Sequence, residues 1–206
     1  MSASEFWNER YQIKDYLFGV EPNDFIKAVT PKAAAVNDDA PPTAYAPADG
    51  EGRNGVFLAR MGYQVTTVDV ANLAVDKALA LAEHHGVALD AHVGDVFTHP
   101  VPEGHFDIVT VCFMHFMPDD HQRFMTAMKA ALKPGGLFIM EAYTRDQIPL
   151  SSGGPKNPDM MMSAEQLAGE FADFDIELLQ ETRRLLSEGP RHQGEAATVQ
   201  LLARKT

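Results

Sequence analysis

The feature of the sequence that most limits its fold is an alternation of short apolar segments with helical ones. Gln64–Val70 and Phe106–Phe113 are rich in β-branched and apolar residues, a composition typical of buried strands. The helical segments Leu73–His85 and His121–Leu132 follow them, and each ends close to a glycine. Strands that alternate with helices form βαβ units, and these units build a parallel sheet. We therefore predict an α/β fold.

The end of the chain departs from this alternation. Two strand-like segments, Ile176–Glu181 and Ala197–Ala203, follow the last predicted helix, and a loop with Gly189 and Gly194 joins them. This order predicts an antiparallel hairpin at one edge of the sheet. No linker of biased composition divides the chain, so we expect a single domain over residues 1–206.

Charge and cysteine content narrow the classes of partner. The chain has 17 Lys+Arg against 29 Asp+Glu, a net charge of −12, whereas nucleic acids and anionic membranes are bound by basic surfaces. The single cysteine, Cys112, excludes a disulfide framework and a multi-cysteine zinc site, and no metal-ligand spacing emerges. No signal peptide or membrane span is recognisable. We expect a cytoplasmic protein, a monomer or homodimer, that binds a small molecule rather than nucleic acid or membrane.

The sharpest local motif is the glycine loop Gly50–Gly55, which fits the pattern G-x-G-x-x-G. Glycines allow a tight turn and let a ligand approach main-chain amides at a helix N-terminus. Asp69 follows 19 residues after Gly50, at the end of a predicted strand, where an acid can accept hydrogen bonds from ribose hydroxyls. A dinucleotide and S-adenosylmethionine (SAM) both satisfy this pattern.

The second half of the chain distinguishes the two ligands. Gly94–Val96 follows a short strand, Phe106–Val109 opens the next strand, and Leu132–Ile139 turns a helix into a strand through Lys-Pro-Gly-Gly. In this order the elements resemble class I SAM-dependent methyltransferases. The resemblance implies a Rossmann-like, mostly parallel seven-stranded sheet with helices on both faces and an antiparallel C-terminal strand. It also implies SAM as the cofactor and S-adenosylhomocysteine as the product.

Further segments resemble the small tellurite-resistance or thiopurine-type branch of these enzymes. They are Phe6–Tyr11, Phe18–Asn23, Gly153–Met160 and Glu188–Gly194. In this branch the N-terminal segment folds over the cofactor, so the resemblance implies a lid formed by residues 1–30.

The resemblance also implies which residues bind the cofactor. They are Tyr11, Phe18, Gly19, Asp49, Gly50, Gly52, Asn54, Asp69, Val70, Gly94, Asp95, Val96 and Phe113. The chain departs from the family pattern before the glycine loop. Ala46 stands in place of an acid that contacts the cofactor amine, and Ala48 stands in place of the first glycine. We expect Asp49 to supply the missing charge.

Methyl transfer from a sulfonium is an in-line displacement, in which the protein aligns the acceptor and excludes water. A thiolate, selenide or halide needs no general base, whereas a hydroxyl or amine does. The residues that follow two of the strands are therefore candidates for the reaction. We predict His115 and Tyr143 as catalytic residues, and Met114, His115, Arg145 and His192 as substrate-binding residues.

The function predicted from these observations is SAM-dependent methyl transfer to a small acceptor such as a thiol, a chalcogen oxyanion or a halide. Two alternatives stay open at this point. One is a catalytically weak SAM-binding or partner-binding module that keeps the fold, which the alanine at position 46 favours. The other is an NAD-dependent oxidoreductase, which only the glycine loop supports.

Overall fold

The computed structural model describes residues 1–33 and 41–206. The chain divides into two compact units, Met1–Pro100 and Val101–Thr206. That the whole chain acts as a single domain stays a prediction.

The described residues of the first unit, 1–33 and 41–100, form three parallel strands and four helices. The strands are β1 (Thr43–Pro47), β2 (Gln64–Asp69) and β3 (Asp90–Val93). The helices are α1 (Ala3–Tyr11), α2 (Asp24–Val29), α3 (Arg53–Arg60) and α4 (Asn72–His84). The strand order is β3-β2-β1, with Ala46 beside Thr67 and Asp69 beside Val93. The carboxyl ends of β1 and β2 therefore lie together, where a parallel sheet binds ligands.

Capping side chains begin both N-terminal helices. Ser2 accepts a hydrogen bond from the Glu5 amide, and the Glu5 carboxylate accepts one from the Ser2 amide, which forms a capping box for α1. The Asn23 side chain accepts from the Ile26 amide at the start of α2. These caps explain why the predicted lid segment contains regular helices.

The second unit contains four strands and two longer helices. The strands are β4 (Phe106–Cys112), β5 (Leu132–Tyr143), β6 (Phe174–Ser187) and β7 (Gln193–Lys205). The helices are α5 (Pro118–Ala131) and α6 (Ala164–Glu170), and short 3-10 turns occupy Arg145–Gln147 and Pro158–Met160. The strand order is β4-β5-β7-β6, in which β7 runs antiparallel to both of its neighbours.

Two predicted elements differ in extent from the observed ones. The Lys133–Gly136 turn lies inside β5, where the pairing with β4 jumps from Phe106–Leu132 to Ile108–Leu137 and the extra residues form a bulge. The C-terminal hairpin is confirmed, but its strands are longer than predicted. The exposed positions of β6 carry charged residues such as Glu177 and Arg183, so the apolar pattern in the sequence marks only part of the strand.

The predicted fold class is confirmed. The fold is α/β with a seven-stranded, mostly parallel sheet, and its C-terminal strand β7 is antiparallel. Within residues 1–33 and 41–206, no helix combines the length and the apolar character that a membrane crossing requires.

Gly52 provides a test of the helix packing around the glycine loop. A Cβ on Gly52, whose φ is +88°, would lie 2.6 Å from the Cβ of Ala78 and 2.8 Å from its Cα. We expect Gly52→Ala to lower the free energy of unfolding by about 3 kcal/mol, from left-handed backbone strain together with overpacking. Urea denaturation measures this loss.

Gly86→Ala is the matched control for this substitution. Gly86 also has a positive φ, +67°, but a Cβ there would have no atom within 4 Å. It should therefore show only the left-handed strain, about 1–2 kcal/mol. Equal losses in the two variants would contradict the packing argument.

Candidate functional site

In the first unit, the chain turns sharply over residues 48–52 between β1 and α3. Ala48 has a φ of +47°, Gly50 of +59° and Gly52 of +88°, all in the left-handed region. The amide of Ala48 donates to the carbonyl of Val68, which keeps this turn against β2. Although alanine replaces the expected first glycine, the backbone keeps the conformation that a glycine would adopt there.

Two carboxylates flank this turn. Asp49 accepts a hydrogen bond from the Gly55 amide at 2.8 Å, and burial raises the pKa of its carboxyl to about 7. Asp69 accepts from the Gly50 amide through one oxygen and from the Ala71 amide through the other, both at 2.9 Å. Burial also raises the pKa of Asp69, and these two hydrogen bonds oppose that shift. The predicted pair of acids therefore lies at the glycine loop.

Tyr11, at the end of α1, covers the loop. A Cβ on Gly50 would lie 2.7 Å from the Tyr11 hydroxyl oxygen, so only a glycine permits this approach. The Tyr11 ring stacks on Trp7 and meets Phe18 edge-on. Burial, and after it the negative charge of Asp69, raises the pKa of the Tyr11 hydroxyl, which therefore stays a hydrogen-bond donor at neutral pH.

Glu51 fastens the segment between α1 and α2 to the glycine loop. Its carboxylate, only 4% exposed, accepts a hydrogen bond from the Leu17 amide at 2.6 Å and an ion pair from Lys77 at 2.7 Å. Lys77 also donates to the carbonyls of Ile13 and Asp15. This ion pair escaped the sequence analysis because Glu51 occupies a variable position of the glycine pattern.

Asn54, a predicted cofactor-binding residue, also joins the segment between α1 and α2 to the glycine loop. Its side-chain oxygen accepts from the Asn23 amide at 2.9 Å, and its side chain also hydrogen-bonds to Asp49. It therefore connects the lid segment with the carboxylate at the turn.

The remaining predicted cofactor residues of the first unit lie on connecting loops. Gly19 has a φ of +74°, and Val70 is half-buried after β2. The Gly94 amide donates to the Asp69 carbonyl at 2.9 Å. Asp95 is exposed and accepts from the Phe97 amide, and Val96 beside it is half-buried.

In the second unit, an aromatic cluster forms where β4 and β5 end. Phe113 has a φ of +52°, and its ring stacks on that of Tyr143 with centroids 4.5 Å apart. The His115 ring also stacks on Tyr143, and His192 meets Phe113 edge-on at 4.8 Å. The structure thus brings together four of the predicted residues.

The surroundings of His115 favour a structural role. Its Nδ1 lies 2.9 Å from the Met160 carbonyl, and its Nε2 accepts from the Tyr143 amide at 3.2 Å. Burial lowers the pKa of the imidazole to about 4, so it is neutral at physiological pH. Since both ring nitrogens contact the main chain, His115 has no nitrogen directed to an acceptor in this conformation.

His192 lies in the loop of the β6–β7 hairpin and is 7% exposed. Its Nδ1 is 3.6 Å from a carboxylate oxygen of Glu188, whose other oxygen accepts from Arg184 at 2.7 Å. Glu188 and Arg184 are not among the residues predicted from the sequence, although a carboxylate four residues before a histidine on a tight hairpin is a recognisable signal.

Arg184 also contacts Glu141, a residue of β5 with no exposed surface. Arg184 donates to both of its oxygens, at 2.9 and 2.6 Å. Thr198 and Gln200, on the neighbouring β7, also donate to it. Glu141 is thus a fully buried charge that is fully hydrogen-bonded, as a buried carboxylate must be.

The other two predicted substrate residues are Met114 and Arg145. Met114 is half-buried after Phe113, and Arg145 is exposed at the start of a 3-10 turn. Arg145 lines a cavity of about 550 Å³ beside α5, together with Phe116, Met125 and Met161. Methionine side chains give such a cavity an adaptable apolar wall.

Comparison with known proteins adds to this geometry. Residues 48–136, which include the glycine loop and Asp69, match the family model described as a methyltransferase domain. No curated protein matches the chain.

Solved structures share the fold at low sequence identity. One, from work on the conversion of a disulfide bond into a thioacetal group during echinomycin biosynthesis, has 19% identity and a TM-score of 0.76, and covers 99% of this chain and 92% of its own. TehB from Haemophilus influenzae has 18% identity and a TM-score of 0.67, with coverages of 98% and 67%. The 1,6-didemethyltoxoflavin-N1-methyltransferase of Burkholderia thailandensis, with S-adenosylhomocysteine bound, has 22% identity and a TM-score of 0.58, with coverages of 80% and 72%.

The match covers the segment that carries the glycine loop and both acids, and the fold of the whole chain is that of the similar structures. Together, the family match and the fold support a class I methyltransferase with SAM as its cofactor.

Proposed function

We propose that this protein transfers a methyl group from SAM to a small acceptor, as a member of the tellurite-resistance or thiopurine-type branch. The observation that carries the proposal is the pair of carboxylates, half-buried Asp49 and buried Asp69, at a glycine loop with a left-handed backbone. The fold similarity to TehB supports the branch.

The donor set of the first unit fits SAM. Asp49, the pKa of which burial raises to about 7, would pair with the ammonium group of the ligand. Asp69 would accept hydrogen bonds from the ribose hydroxyls, and the aromatic ring of Tyr11 would cover the ligand. When bound, SAM supplies a methyl group on a positively charged sulfur, which is a good leaving group.

The second unit supplies candidates for the acceptor site. Phe113 and Tyr143 form an apolar wall at the carboxyl ends of β4 and β5, and His192 adds a polar group. The net charge of −12 disfavours nucleic acid as the acceptor, and the N1-methyltransferase of Burkholderia thailandensis, whose name gives a small acceptor, supports a small molecule. A cytoplasmic location and a monomeric or homodimeric state stay predictions.

The alternative of a catalytically weak SAM-binding or partner-binding module keeps one observation in its favour. Ala46 is buried in β1 and offers no carboxylate to the cofactor amine. The comparisons do not favour the NAD-dependent oxidoreductase, and we do not propose it.

Isotope-labelled SAM tests the function. The purified chain is incubated with labelled SAM and a panel of acceptors: alkyl thiols, phenols, amines, iodide, selenite and tellurite. Transfer of label to one of them is expected, together with SAM binding by calorimetry. Binding without transfer would support the weak module instead, and failure to bind SAM at millimolar concentration would exclude both readings.

The pH dependence of SAM binding tests the role of Asp49. Because its pKa is about 7, most molecules hold a neutral Asp49 at pH 6, and an ammonium ligand must displace that proton. We expect the affinity to rise about tenfold from pH 6 to pH 7.5, a range in which the α-amino group of SAM is mostly protonated. Calorimetry in buffers of different ionisation enthalpy measures the affinity and the proton release.

Two variants make this result specific. Asp49→Asn should bind SAM weakly with no pH dependence in this range. Asp69→Asn should also bind weakly, yet keep the pH dependence, since Asp49 is intact. A wild-type affinity that is constant over this range would contradict the assignment of Asp49.

Substitution of Glu51 tests the lid. Glu51→Ala removes a buried acceptor of the Leu17 amide and the partner of Lys77, so hydrogen exchange at Leu17 should become about tenfold faster or more. NMR exchange rates measure this change, and SAM affinity should fall in parallel. Glu21→Ala, which removes an exposed ion pair with Lys27 in the same segment, should change neither. Faster exchange with unchanged SAM affinity would contradict a lid over the cofactor.

A further inference from the structure

The outer edge of β6 is a long strand edge in the second unit. β6 is 14 residues long and pairs with β7 on one side, and no strand among residues 1–33 and 41–206 pairs with its other side. An edge of this kind presents main-chain N–H and C=O groups to which another strand can bind. Proteins usually protect such an edge by keeping it short, by a bulge, or by charges that repel a second strand.

The bulge of β6 lies near its beginning and leaves the rest of the strand regular. The pairing with β7 shifts between Ile176 and Leu178, and from Leu178 to Ser187 successive residues pair with β7 without interruption. This regular segment is longer than a typical strand of about five or six residues. The bulge therefore does not prevent a second strand from pairing along most of the edge.

The sequence of the regular segment is complementary to itself about Thr182. In an antiparallel pair of two β6 strands centred on Thr182, residues equally far before and after Thr182 lie opposite each other. Glu181 of each copy then faces Arg183 of the other copy, and Leu179 of each copy faces Leu185 of the other. Opposite charges and pairs of apolar residues in directly opposed positions stabilise a strand pair.

The four opposed side chains lie on one face of the strand, because successive residues of a strand point to opposite faces. Glu181, Arg183 and Leu185 are exposed, and Leu179 is half-buried. Leu185 is 76% exposed, more than any other large apolar side chain of the described residues except Met1. A second copy would cover Leu185 with Leu179 and remove apolar surface from water.

The two charged residues have capacity for a partner in a second copy. Glu181 accepts a hydrogen bond from the Ala164 amide at 2.8 Å and forms no ion pair within the part of the chain that the structure describes. Arg183 donates to Glu195 at 2.9 Å and to Asp146 at 3.5 Å, and its side chain is 55% exposed. Because a guanidinium has five N–H donors, it can also bind a further carboxylate.

We propose that β6 pairs with β6 of a second copy of this chain, antiparallel and about a two-fold axis at Thr182, and that the protein is thereby a homodimer. The signs of Glu181 and Arg183 distinguish this edge from a protected one, because charges of a single sign would repel the second copy. The self-complementary order of the side chains favours a second copy over the strand of an unrelated protein. The inference does not depend on methyl transfer.

The mass of the purified chain in solution is the first test. Edge pairing buries less surface than a standard interface of about 1,600 Å², so ultracentrifugation should cover concentrations from about 1 µM to about 500 µM. We expect the mass to rise with concentration to twice that of one chain. A monomer over this whole range would overturn the inference and leave the proposed function standing.

Reversal of one charge tests the opposed pair of Glu181 and Arg183. Arg183→Glu places two glutamates opposite each other on both sides of the axis, and Glu181→Arg does the same with two arginines. Each variant should therefore dimerise about 30-fold more weakly or worse. An equal mixture of the two variants should form a heterodimer, because each glutamate then faces an arginine. The double variant Glu181→Arg/Arg183→Glu should dimerise like the wild type.

These recoveries show that the single variants are folded, so a loss of dimer is specific to the charges. Dimerisation that is unchanged in both single variants, or a mixture that stays monomeric, would overturn the proposed pairing.

Two control variants match the changes in net charge. Asp175→Arg changes the charge as Glu181→Arg does, at an exposed position of β6 before the bulge. Lys14→Glu changes it as Arg183→Glu does, at an exposed position of the first unit. Both should dimerise within about threefold of the wild type, because a distant charge is screened by salt. Controls as weak as the single reversals would contradict the role of the opposed pair.

Disulfide cross-linking tests the position of the axis, on a Cys112→Ser background. In Thr182→Cys the two cysteines lie opposite each other, with Cα atoms about 5 Å apart, a separation that a disulfide can span. In Gln180→Cys, on the same face, they lie about 14 Å apart and cannot be linked. We expect a covalent dimer after oxidation of Thr182→Cys alone. A link at position 180, or no link at 182 in a chain that still sediments as a dimer, would overturn the inference.

Discussion

The buried carboxylate of Glu141 is the interaction on which the second unit depends. Hydrogen bonds from Arg184, Thr198 and Gln200 surround this carboxylate, and Glu141 itself has no exposed surface. Removing one partner of such a buried pair typically costs about 3–5 kcal/mol, because the other charge stays uncompensated. The carboxylate therefore fixes how β6 and β7 lie against β5, and with them the loop that carries His192.

A second buried carboxylate has the corresponding role in the first unit. Glu51 ties the segment between α1 and α2 to the glycine loop and to α4 through Lys77. In each unit, then, a carboxylate that makes no contact with the proposed reacting atoms determines where the proposed functional side chains lie. Such residues are structural in their contacts and functional in their consequences.

The sequence predicts the fold well and the site in part, for a physical reason. Apolar periodicity reports burial, so β2, β4 and the helices after them are found close to their observed bounds. It fails at β6, where charged residues occupy the exposed face, and at Lys133–Gly136, where a bulge has the composition of a turn.

The glycine loop and Asp69 are found because their spacing along the chain is fixed by one strand and one helix. The contacts that run from Glu141 through Arg184 and Glu188 to His192 are not found, because these residues come from β5, from β6 and from the hairpin loop. Only the pairing of both strands with β7 brings them together. His115 shows the converse: its position after β4 suggests chemistry, while its partners, the main-chain atoms of Met160 and Tyr143, come from distant segments.

The attachment of the lid segment has a consequence for how this protein can diversify. Glu51, Asn54 and Lys77 hold main-chain atoms of the segment, namely the amides of Leu17 and Asn23 and the carbonyls of Ile13 and Asp15. Main-chain groups are the same whatever side chain a residue carries. The exposed side chains of this segment, such as Val20 and Glu21, can therefore change without release of the segment, whereas an insertion or deletion there would displace these contacts. Substitutions can therefore alter the surface that the lid segment presents, while the length of the segment is fixed.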